Sequence, residues 1–313
     1  MKMVKIKNRK CLAIIENLLN IPYKILFLYA RRKERLTSKK KYYFSVCCIF
    51  KDEAKYLGEW IEYNRIIGVD HIYMYNNNST DDFRSIIDSY NGGYITLIDW
   101  PKDYAQMEAY EDCYNQYREE TNWLAFWDID EFVCPFYDTD IKDFVKRYEG
   151  YPALMVYWML FGTNGLMKPD ANKLVIEQFT CSHEHLDGTG KIILSTNKNY
   201  SPTHIYHHHI FCRYRLLGFV LKIPMITEHY KFVFFPQIYK APKRNTIQLN
   251  HYWSKSYEEF SDKIAKGDVA RKENEEIRKR IQFFYNHEQG NIVENKVIFR
   301  FLIKLKLALL ENQ

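Results

Sequence analysis

The sequence predicts an α/β fold in which a mostly parallel central sheet is flanked by helices. Short apolar stretches alternate with stretches of helical periodicity between residues 44 and 127, a spacing that is typical of βαβ units. Consecutive strands in such units run parallel. Polar residues also follow three of the apolar stretches directly. Because ligand sites in parallel sheets lie at the carboxyl ends of the strands, the same pattern predicts where a site lies.

Four strands and three helices are predicted in this first half of the chain. The strands are assigned to residues 44–50, 71–75, 94–98 and 123–127. The helices are assigned to residues 54–67, 82–90 and 104–119. Ser79 or Thr80 is available as the cap of the second helix. The three polar strand ends are residues 51–53, 76–81 and 128–131.

The polarity of the chain changes abruptly at the end of the fourth predicted strand. Its apolar residues are followed by Asp128, Ile129, Asp130 and Glu131. Alternation in a strand places Asp128 and Asp130 on the same side, with Ile129 pointing into the core. Two adjacent carboxylates repel each other unless a proton or a cation lies between them, and a divalent cation with oxygen ligands satisfies both. Since acidic pairs are also common in solvated turns, the preceding apolar strand is what favours a site.

Residues 150–310 carry weaker patterns. Strands are predicted at 153–157 and 174–179, a charged amphipathic helix near 256–285, and a basic amphipathic helix over 296–310. Lys296, Arg300 and Lys304 form one stripe of that last helix, which either docks on the domain or lies on a bilayer. The three consecutive histidines at 207–209 point in different directions and make a poor chelate, so no zinc site is predicted there.

The composition is typical of a globular protein with reduced thiols. The chain has 313 residues, enough for one large domain or two smaller ones. Aromatic residues make up 17% of it; we expect most of them to pack in the core or cover the surface, with sugar or nucleotide stacking as a further use. Seven cysteines without a paired spacing indicate a cytosolic protein and argue against a disulfide scaffold.

Basic residues account for the net charge of +6 and cluster near the ends of the chain, notably at positions 2–10 and 31–41. Such clusters favour an anionic membrane surface or nucleic acid as a partner. No zinc-finger spacing and no RNA-binding aromatic motif accompany them. We therefore predict an anionic membrane surface as a partner and no nucleic acid.

An apolar stretch, residues 11–30, lies between the two N-terminal basic clusters. Its polar residues Glu16, Asn17, Asn20 and Lys24 fall on one narrow face of a helix, and Pro22 would kink that helix. No small-residue cleavage site follows, which argues against a secretory signal. We predict a helix that lies in the membrane interface; a helix that spans the bilayer and a helix that packs on the protein's own core are alternatives.

Several segments together resemble glycosyltransferase family 92, within the wider group of family 2-like enzymes with a GT-A fold. They begin with Cys48-Ile-Phe-Lys-Asp-Glu and continue with Gly68-Val-Asp-His-Ile-Tyr-Met-Tyr-Asn-Asn-Asn-Ser-Thr-Asp81 and Phe126-Trp-Asp-Ile-Asp-Glu-Phe132. Later matches are Phe161-Gly-Thr-Asn-Gly165 and His251-Tyr-Trp-Ser-Lys-Ser-Tyr-Glu-Glu-Phe260. These segments follow the family's order and cover residues 44–266, most of the chain.

The resemblance implies transfer of a hexose such as galactose from a UDP-sugar to a glycan or lipid-linked saccharide acceptor, with inversion and with Mn²⁺ or Mg²⁺ bound. It implies that Asp130 binds the metal and that Asp128 binds the metal, the ribose or both. His251 would complete the metal site, and an imidazole beside two carboxylates suits Mn²⁺ best. Lys255 and Lys191 would contact the diphosphate.

The resemblance also suggests residues for the nucleotide and for catalysis. Asn77 stands where the wider group has an acidic residue that contacts uracil or ribose, and its amide can still donate and accept hydrogen bonds. Segment 76–78 is equally a turn that tolerates left-handed backbone. Glu53 is a second candidate for nucleotide contact. Glu177 and Glu131 are candidates for the catalytic base, although Glu131 beside a metal fits a supporting acid better.

We divide the chain into an N-terminal segment (1–41), a catalytic domain (42–270) and a C-terminal helical segment (271–313). The predicted function is a metal-dependent, UDP-sugar glycosyltransferase of polysaccharide biosynthesis, cytoplasmic and peripheral at the inner membrane face. An anchor through residues 11–30 is the alternative localisation. Two other functions stay open: a glycoside hydrolase that uses Asp128 and Glu131, and a non-catalytic carbohydrate-binding module at a membrane.

Overall fold

A computed structural model of the chain describes residues 9–30, 40–90, 92–216, 218–235, 244–266 and 276–311. It begins with helix α1 (Arg9–Ala30). The elements that follow are β1 (Tyr42–Phe50), α2 (Ala54–Ile66), β2 (His71–Asn76), α3 (Phe83–Ser89), β3 (Ile95–Asp99), α4 (Gln106–Tyr117), β4 (Thr121–Phe126) and β5 (Glu131–Pro135).

The rest of the chain adds short helices, a hairpin and three further strands of the main sheet. These elements are α5 (Ile141–Lys146), β6 (Ala153–Leu160), α6 (Val175–Gln178), β7 (Cys181–Ser182), β8 (Gly190–Ser195), β9 (Tyr200–Pro202), β10 (Phe211–Leu216), β11 (Phe219–Pro224) and β12 (Ile247–His251). The last ones are α7 (Tyr257–Lys266), α8 (Glu276–Gly290), β13 (Val293–Glu294), a 3-10 helix (Val297–Phe301) and α9 (Leu302–Glu311).

Eight strands form one sheet in the order β3-β2-β1-β4-β8-β6-β12-β5. β1 pairs in parallel with both β2 and β4, and β2 pairs in parallel with β3, as the alternation of elements predicted. β8 lies between β4 and β6 and is antiparallel to both. β12 is parallel to β6 and antiparallel to β5. The predicted α/β class with a mostly parallel sheet is confirmed.

The central strands are apolar because helices cover the sheet around them. The last seven residues of β1 and all six residues of β2 and of β4 are buried. Strands buried on both faces are continuous apolar runs rather than alternating ones. α2 contributes Trp60 and Tyr63 to the same core, and α4 contributes Tyr110. Polar residues begin where these strands end, so the carboxyl edge of the sheet is the part suited to a ligand.

The strand predicted at residues 174–179 is wrong, because the structure has the short helix α6 there. The cause lies in a distant side chain. The buried Glu59 of α2 accepts hydrogen bonds from the backbone N–H groups of Val175 (2.7 Å) and Ile176 (3.1 Å). These are the N–H groups that a helix leaves without internal partners, and a carboxylate at this end stabilises it. A local apolar pattern contains no sign of such a tertiary cap.

Other boundaries also differ from the prediction. α3 begins after Asp82, and the oxygens of Ser79 and Thr80 bond to Asp52 instead of capping the helix. The helix predicted near 256–285 is described as α7 and α8, and residues 267–275 lie outside the described residues, as does the predicted domain boundary at 270. The basic helix predicted at 296–310 begins as a 3-10 helix before α9.

The basic stripe of the last helix docks on the domain itself. Arg300 Nη1 donates to the carbonyl of Pro135 at 2.8 Å, and Lys304 Nζ donates to the carbonyl of Ile66 at 3.0 Å. Leu305 of the same helix is fully buried. Of the two predicted alternatives, the structure therefore supports docking on the domain for this face of the helix.

Candidate active site

The loops after β1 and β2 are joined at the carboxyl edge of the sheet. The backbone N–H of Asp52 donates to Ser79 Oγ (3.0 Å), and that of Ala54 donates to Asp81 Oδ2 (2.7 Å). Asn78 has a positive φ of 56°, so the predicted left-handed turn is present. Since β4 is the other parallel neighbour of β1, its carboxyl end lies at the same edge. The three polar strand ends that the sequence predicted are therefore on one side of the molecule.

Asp128 and Asp130 lie in a turn rather than in a strand. β4 ends at Phe126, and the backbone N–H of Glu131 donates to the carbonyl of Asp128 at 3.0 Å, which closes a four-residue turn. The expectation that strand alternation places the two aspartates on one side is therefore wrong. Each aspartate has its own set of partners.

Asp128 is held by three donors from two elements. Its Oδ1 accepts hydrogen bonds from Tyr110 Oη (2.9 Å) and Gln106 Nε2 (3.1 Å) of α4. Its Oδ2 accepts one from Lys191 Nζ of β8 at 2.6 Å. The side chain of Asp128 keeps 30% of its surface exposed. Its carboxylate is thus fixed in orientation while one edge faces the solvent.

Beneath Asp128 lies a buried charge pair formed by Lys191 and Glu131, both fully buried. Their charged atoms are 3.5 Å apart, and Glu131 also accepts hydrogen bonds from Trp158 Nε1 (2.6 Å) and the backbone N–H of Asp128 (3.0 Å). Burial raises the pKa of Glu131 to about 7, although Lys191 acts in the opposite direction. For Lys191, burial is outweighed by Asp128 and Glu131, so the pKa of its ammonium is raised.

Asp130 faces a second group of basic side chains. Its Oδ2 accepts a hydrogen bond from Lys263 Nζ at 2.8 Å, and its Oδ1 lies 3.6 Å from His251 Nε2. Burial alone would raise the pKa of Asp130, but the charges of Lys263, His251 and Lys255 outweigh it and hold this pKa well below its usual range. Asp130 is therefore a carboxylate throughout the physiological pH range.

Strand pairing brings His251 to the acidic turn across a long stretch of chain. β12 runs antiparallel to β5, and the pairing sets His251 opposite Glu131. The ring of Trp158 packs on His251 with centroids 4.6 Å apart and donates to Glu131, so one tryptophan orients both residues. The buried Nδ1 atom of His251 has no hydrogen-bond partner within the described part of the chain. The other ring nitrogen, Nε2, is the one that faces the carboxylate of Asp130.

The segment after β12 positions two lysines. Lys255 adopts a positive φ of 48° and places its ammonium 4.0 Å from the ring centroid of Tyr56. Ser256 then caps α7: its Oγ accepts from the N–H of Glu259 (3.3 Å), and Glu259 accepts from the N–H of Ser256 (3.2 Å). This reciprocal capping box fixes the start of α7. Lys263, two turns further on, reaches Asp130 from that helix.

Two of the residues expected to contact the nucleotide have different surroundings. Asn77 is buried, and its amide donates to the carbonyls of Trp100 (2.9 Å) and Lys102 (2.7 Å), so it holds the loop after β3. Glu53 lies at the start of α2, and its charge acts on Lys255. Burial lowers the pKa of Lys255, and Glu53 and Asp130 act against that effect. The nucleotide roles of Asn77 and Glu53 stay predictions.

The two candidates for the catalytic base lie apart from each other. Glu177 pairs with Lys306 of α9 at 2.6 Å, and the described contacts show no bond from it to Asp128, Asp130 or His251. Glu131 is adjacent to both aspartates but fully buried. Neither geometry places a free carboxylate in front of the acidic turn, so a base role for either residue stays a prediction.

Sequence reasoning missed Lys263 and Trp158. Lys263 lies 133 residues from Asp130 in a helix whose charges resemble an ordinary solvated face. The usable signal was its position two turns after a Ser-x-x-Glu capping box that directly follows His251 and Lys255. Trp158 stands in an apolar strand, and only the pairing of β6 with β12 shows its contact with His251.

The sequence profile of glycosyltransferase family 92 matches residues 40–278. The chain belongs to glycosyltransferase family 92. The strand order and directions described above agree with the GT-A type fold that membership of family 92 implies.

Known family 92 proteins resemble this chain at moderate identity. A family 92 protein of Ricinus communis is 26% identical over 220 residues, which are 65% of this chain and 37% of that protein. A family 92 protein of Oryza sativa subsp. japonica is 27% identical over 237 residues, which are 74% of this chain and 36% of that protein. The match thus spans little more than a third of the length of these relatives.

Solved structures align over about half of the chain or less. The crystal structure of S. aureus TarS 1-349 aligns with a TM-score of 0.35 and 16% identity, over 49% of this chain and 47% of that chain. The same protein in complex with UDP aligns with a TM-score of 0.30 and 18% identity, over 41% of this chain and 38% of that chain.

The three side chains expected to hold a metal in this family 92 chain are only partly assembled. Asp130 and His251 face each other, whereas Asp128 is bonded to Lys191, Tyr110 and Gln106. Within the described ranges no three His, Cys, Asp or Glu side chains meet as a metal site. Small hard cations are commonly held by one or two protein ligands together with substrate phosphates and water. The Asp130–His251 pair fits that kind of site.

Proposed function

We propose that the protein is a metal-dependent glycosyltransferase that moves a hexose from a UDP-sugar to a glycan or lipid-linked saccharide acceptor with inversion. The observation that carries this proposal is the composition of the Asp130 cluster. It combines two cation ligands, Asp130 and His251, with two lysines, Lys255 and Lys263. A nucleoside diphosphate carries negative charge on two phosphates. A metal cation and neighbouring ammonium groups can bind these phosphates together.

In this proposal Asp130 and His251 hold Mn²⁺, which the mixed oxygen and nitrogen donors favour over Mg²⁺. When bound, the cation offsets the charge that develops on the departing UDP. The chain itself contributes the lysines. Lys263 has 44% of its side chain exposed and can leave Asp130 to pair with a phosphate. Lys255 is nearly buried and keeps its place against Tyr56, so its ammonium is a fixed donor.

Asp128 and Lys191 take a different role. Lys191 is fully buried and already bonded to Asp128, so we propose that it positions this carboxylate rather than contacting the diphosphate itself. Asp128 then presents its exposed edge to a hydroxyl group, either of the ribose or of the transferred sugar. We propose that Asn77 acts through the loop after β3, which it holds, and that Glu53, whose charge acts on Lys255, accepts a hydrogen bond from the nucleotide.

The hydrolase alternative fits the geometry less well. A hydrolase needs two carboxyl groups that both face a scissile bond. Glu131 has no exposed surface and is bonded to Trp158 beneath the turn, so it cannot face a substrate that Asp128 contacts. The raised pKa of Glu131 is therefore a result of burial rather than a sign of an exposed general acid.

The proposed function is tested by measuring UDP release and sugar transfer with a panel of UDP-sugars, in the presence of Mn²⁺ and after chelation with EDTA. We expect Mn²⁺-dependent release that is lost in Asp130→Asn and His251→Ala. Asp143→Asn is the matched control, because Asp143 pairs with Lys146 on the surface helix α5. Activity that persists in EDTA or in Asp130→Asn would overturn the metal assignment. Sugar binding without transfer would favour a carbohydrate-binding module.

We also propose that the enzyme works at the cytoplasmic face of a membrane. The apolar N-terminal helix supports the membrane part of this proposal, since α1 contains a stretch (Lys10–Leu28) that is long and apolar enough to cross a bilayer. The orientation of the helix on the domain bears on whether it spans the membrane or lies in its plane.

A further inference from the structure

Helix α1 presents an apolar stripe to the solvent. The stripe consists of Ile14, Leu18, Ile21, Ile25 and Leu28, whose exposed fractions run from 59% to 68%. Spacings of three and four residues place all five on one side of the helix. A helix on the surface of a soluble protein normally turns such a stripe toward the core. On α1 the stripe from Ile14 to Leu28 faces the solvent instead.

Polar side chains of α1 face the protein instead. Asn20 Oδ1 accepts from the N–H of Phe232 (2.7 Å), and its Nδ2 donates to the carbonyl of the same residue (3.0 Å). Glu16 accepts from the N–H of Phe234 (3.1 Å) and pairs with Lys231 (3.0 Å). Both side chains are buried. Because these bonds satisfy backbone groups of the domain, they fix the helix on its surface.

Aromatic packing completes the docking of α1. Phe27 is fully buried and stacks on Tyr151 with centroids 5.3 Å apart. Tyr23 Oη donates to the carbonyl of Lys222 in β11, at 3.1 Å. β11 begins with Phe219 and Val220, which are 73% and 56% exposed. Further apolar surface thus lies on the hairpin strand that contacts the helix.

Positive charge lies at the border of the stripe. A cleft of about 380 Å³ along one side of α1 is lined by Lys24, Lys231, His229 and Asn17 among others. In the sequence, basic clusters precede and follow the helix at positions 2–10 and 31–41. Aliphatic side chains flanked by lysine and arginine match a bilayer surface that carries anionic headgroups.

We propose that α1 is an in-plane membrane anchor that is rigidly joined to the catalytic domain. Its apolar stripe enters the boundary between headgroups and acyl chains of an anionic bilayer, and the cleft with Lys24 and Lys231 receives lipid phosphates. A spanning arrangement would separate Glu16 and Asn20 from the domain and place them in hydrocarbon, which is unfavourable. A second copy of the chain on this stripe would bring the positive charges of Lys24 and Lys231 from two molecules to one interface. The bilayer is therefore the occupant that the residues fit.

The first test is co-sedimentation of the full chain with vesicles of phosphatidylcholine alone and of an equimolar mixture with phosphatidylglycerol. We expect binding to the mixed vesicles. The triple variant Ile14→Ser, Leu18→Ser, Ile25→Ser should lower the partition coefficient by about tenfold or more, because three aliphatic side chains no longer enter the bilayer. All three residues are exposed, so the thermal midpoint should stay unchanged.

The matched control removes three exposed aliphatic residues from the other terminal helix: Ile303→Ser, Leu307→Ser, Leu310→Ser in α9. This variant should bind vesicles like the wild type. Equal loss in both variants, or loss in the α9 variant alone, would overturn the assignment to α1. Light scattering after gel filtration tests whether a second copy of the chain covers the stripe instead of a bilayer. The proposal would be overturned if the wild type were a dimer, the α1 variant were a monomer, and neither bound vesicles.

The second test distinguishes an in-plane helix from a spanning one. Single labels are placed at Ile14→Cys, Ile21→Cys and Leu28→Cys in a background with Cys11→Ser and Cys181→Ser, and their depth is measured by quenching from lipids that carry quenchers at known acyl positions. An in-plane helix gives the same shallow depth at all three positions. A deep label at residue 21 with shallow labels at 14 and 28 would overturn the in-plane arrangement.

Discussion

The ammonium of Lys191 lies 2.6 Å from Oδ2 of Asp128, although Lys191 is fully buried. Its second neighbour is the equally buried Glu131 at 3.5 Å. One internal cation therefore serves two carboxylates of the acidic turn. The carboxylates of the acidic turn repel each other unless a cation lies between them, and the ammonium of Lys191 offsets part of this repulsion.

Replacement of Lys191 by methionine should lower the free energy of unfolding by about 3–5 kcal/mol, the usual cost of removing one partner from a buried ion pair. Methionine has a similar length, so the loss reflects charge rather than volume. Urea unfolding at neutral pH measures it. Lys263→Met, which removes a half-exposed lysine, should cost far less stability.

A double-mutant cycle with Asp128→Asn checks whether the two residues act together. We expect Asp128→Asn in the Lys191→Met background to cost much less than in the wild type, because the carboxylate has lost its cationic partner there. Its bonds to Tyr110 and Gln106 remain. Changes that add within about 0.5 kcal/mol would show that Lys191 acts through something other than Asp128.

Gly190 is required by the close pairing of β8 with β6. A Cβ atom at this position would overlap the carbonyl oxygen of Val156 and lie 2.7 Å from the Cα of Tyr157, both of which are backbone atoms. Gly190→Ala should therefore push the strands apart, lower the free energy of unfolding by about 1–3 kcal/mol or more, and displace the adjacent Lys191. Urea unfolding together with UDP binding measures both effects.

Gly58→Ala is the matched glycine control. Gly58 lies inside α2, and a Cβ there would come no closer than 4.0 Å to its neighbours. Alanine should raise the free energy of unfolding by about 0.5–1 kcal/mol, because it lowers the entropy of the unfolded chain and favours a helix. If Gly190→Ala proved equally harmless, the strand contact would not be as close as described.

Glu59 makes stability depend on pH. Burial raises its pKa from an ordinary value near 4.5 to about 7, even though the N–H groups of Val175 and Ile176 donate to it. Between these two values the folded chain binds more protons than the unfolded chain, so the free energy of unfolding falls as pH rises. By pH 7 the loss from this group amounts to about 3 kcal/mol. Urea unfolding from about pH 5 to about pH 7 measures the slope.

Glu59→Gln should make that slope shallower, because glutamine does not titrate. At about pH 5 it should lower stability by about 1–2 kcal/mol, since the amide NH₂ group cannot accept from one of the two backbone N–H groups. As the pH rises to about 7, this deficit should disappear or reverse, because only the wild type loses stability there. Glu108→Gln, on the exposed side of α4, should leave the slope as it is. An unchanged slope in Glu59→Gln would show that this carboxyl titrates normally.

The sequence predicted the first strands of the sheet and the edge at which they end, because the causes of these features are local. Apolar runs that end in polar residues identified β1, β2 and β4 and the edge at which they end. α6 escaped prediction because its cap is Glu59, more than a hundred residues away. Lys191 was expected at the diphosphate, and only the sheet order shows that it lies beneath Asp128.

The orientation of α1 could be predicted only in part. The spacing of Glu16 and Asn20 showed that the helix has one narrow polar face. The spacing does not show whether that face is turned to the solvent or to polar groups of the domain. The deciding groups are the backbone amides of Phe232 and Phe234, which the sequence does not place. Lys263 is a similar case, since a lysine in a charged helix carries no local sign of a partner.

Lys263 occupies one oxygen of Asp130, so its removal should act on metal and nucleotide in opposite directions. Lys263→Met should tighten the binding of Mn²⁺ alone, because a competing cation is gone. It should loosen the binding of UDP with Mn²⁺ by about tenfold, the loss of one charge-assisted hydrogen bond. Electron paramagnetic resonance of free Mn²⁺ and calorimetry with UDP measure the two affinities. Lys55→Met is the matched control, because Lys55 is exposed and pairs with Glu259. If both affinities fell together in Lys263→Met, the lysine would support the fold of the site instead of competing for Asp130.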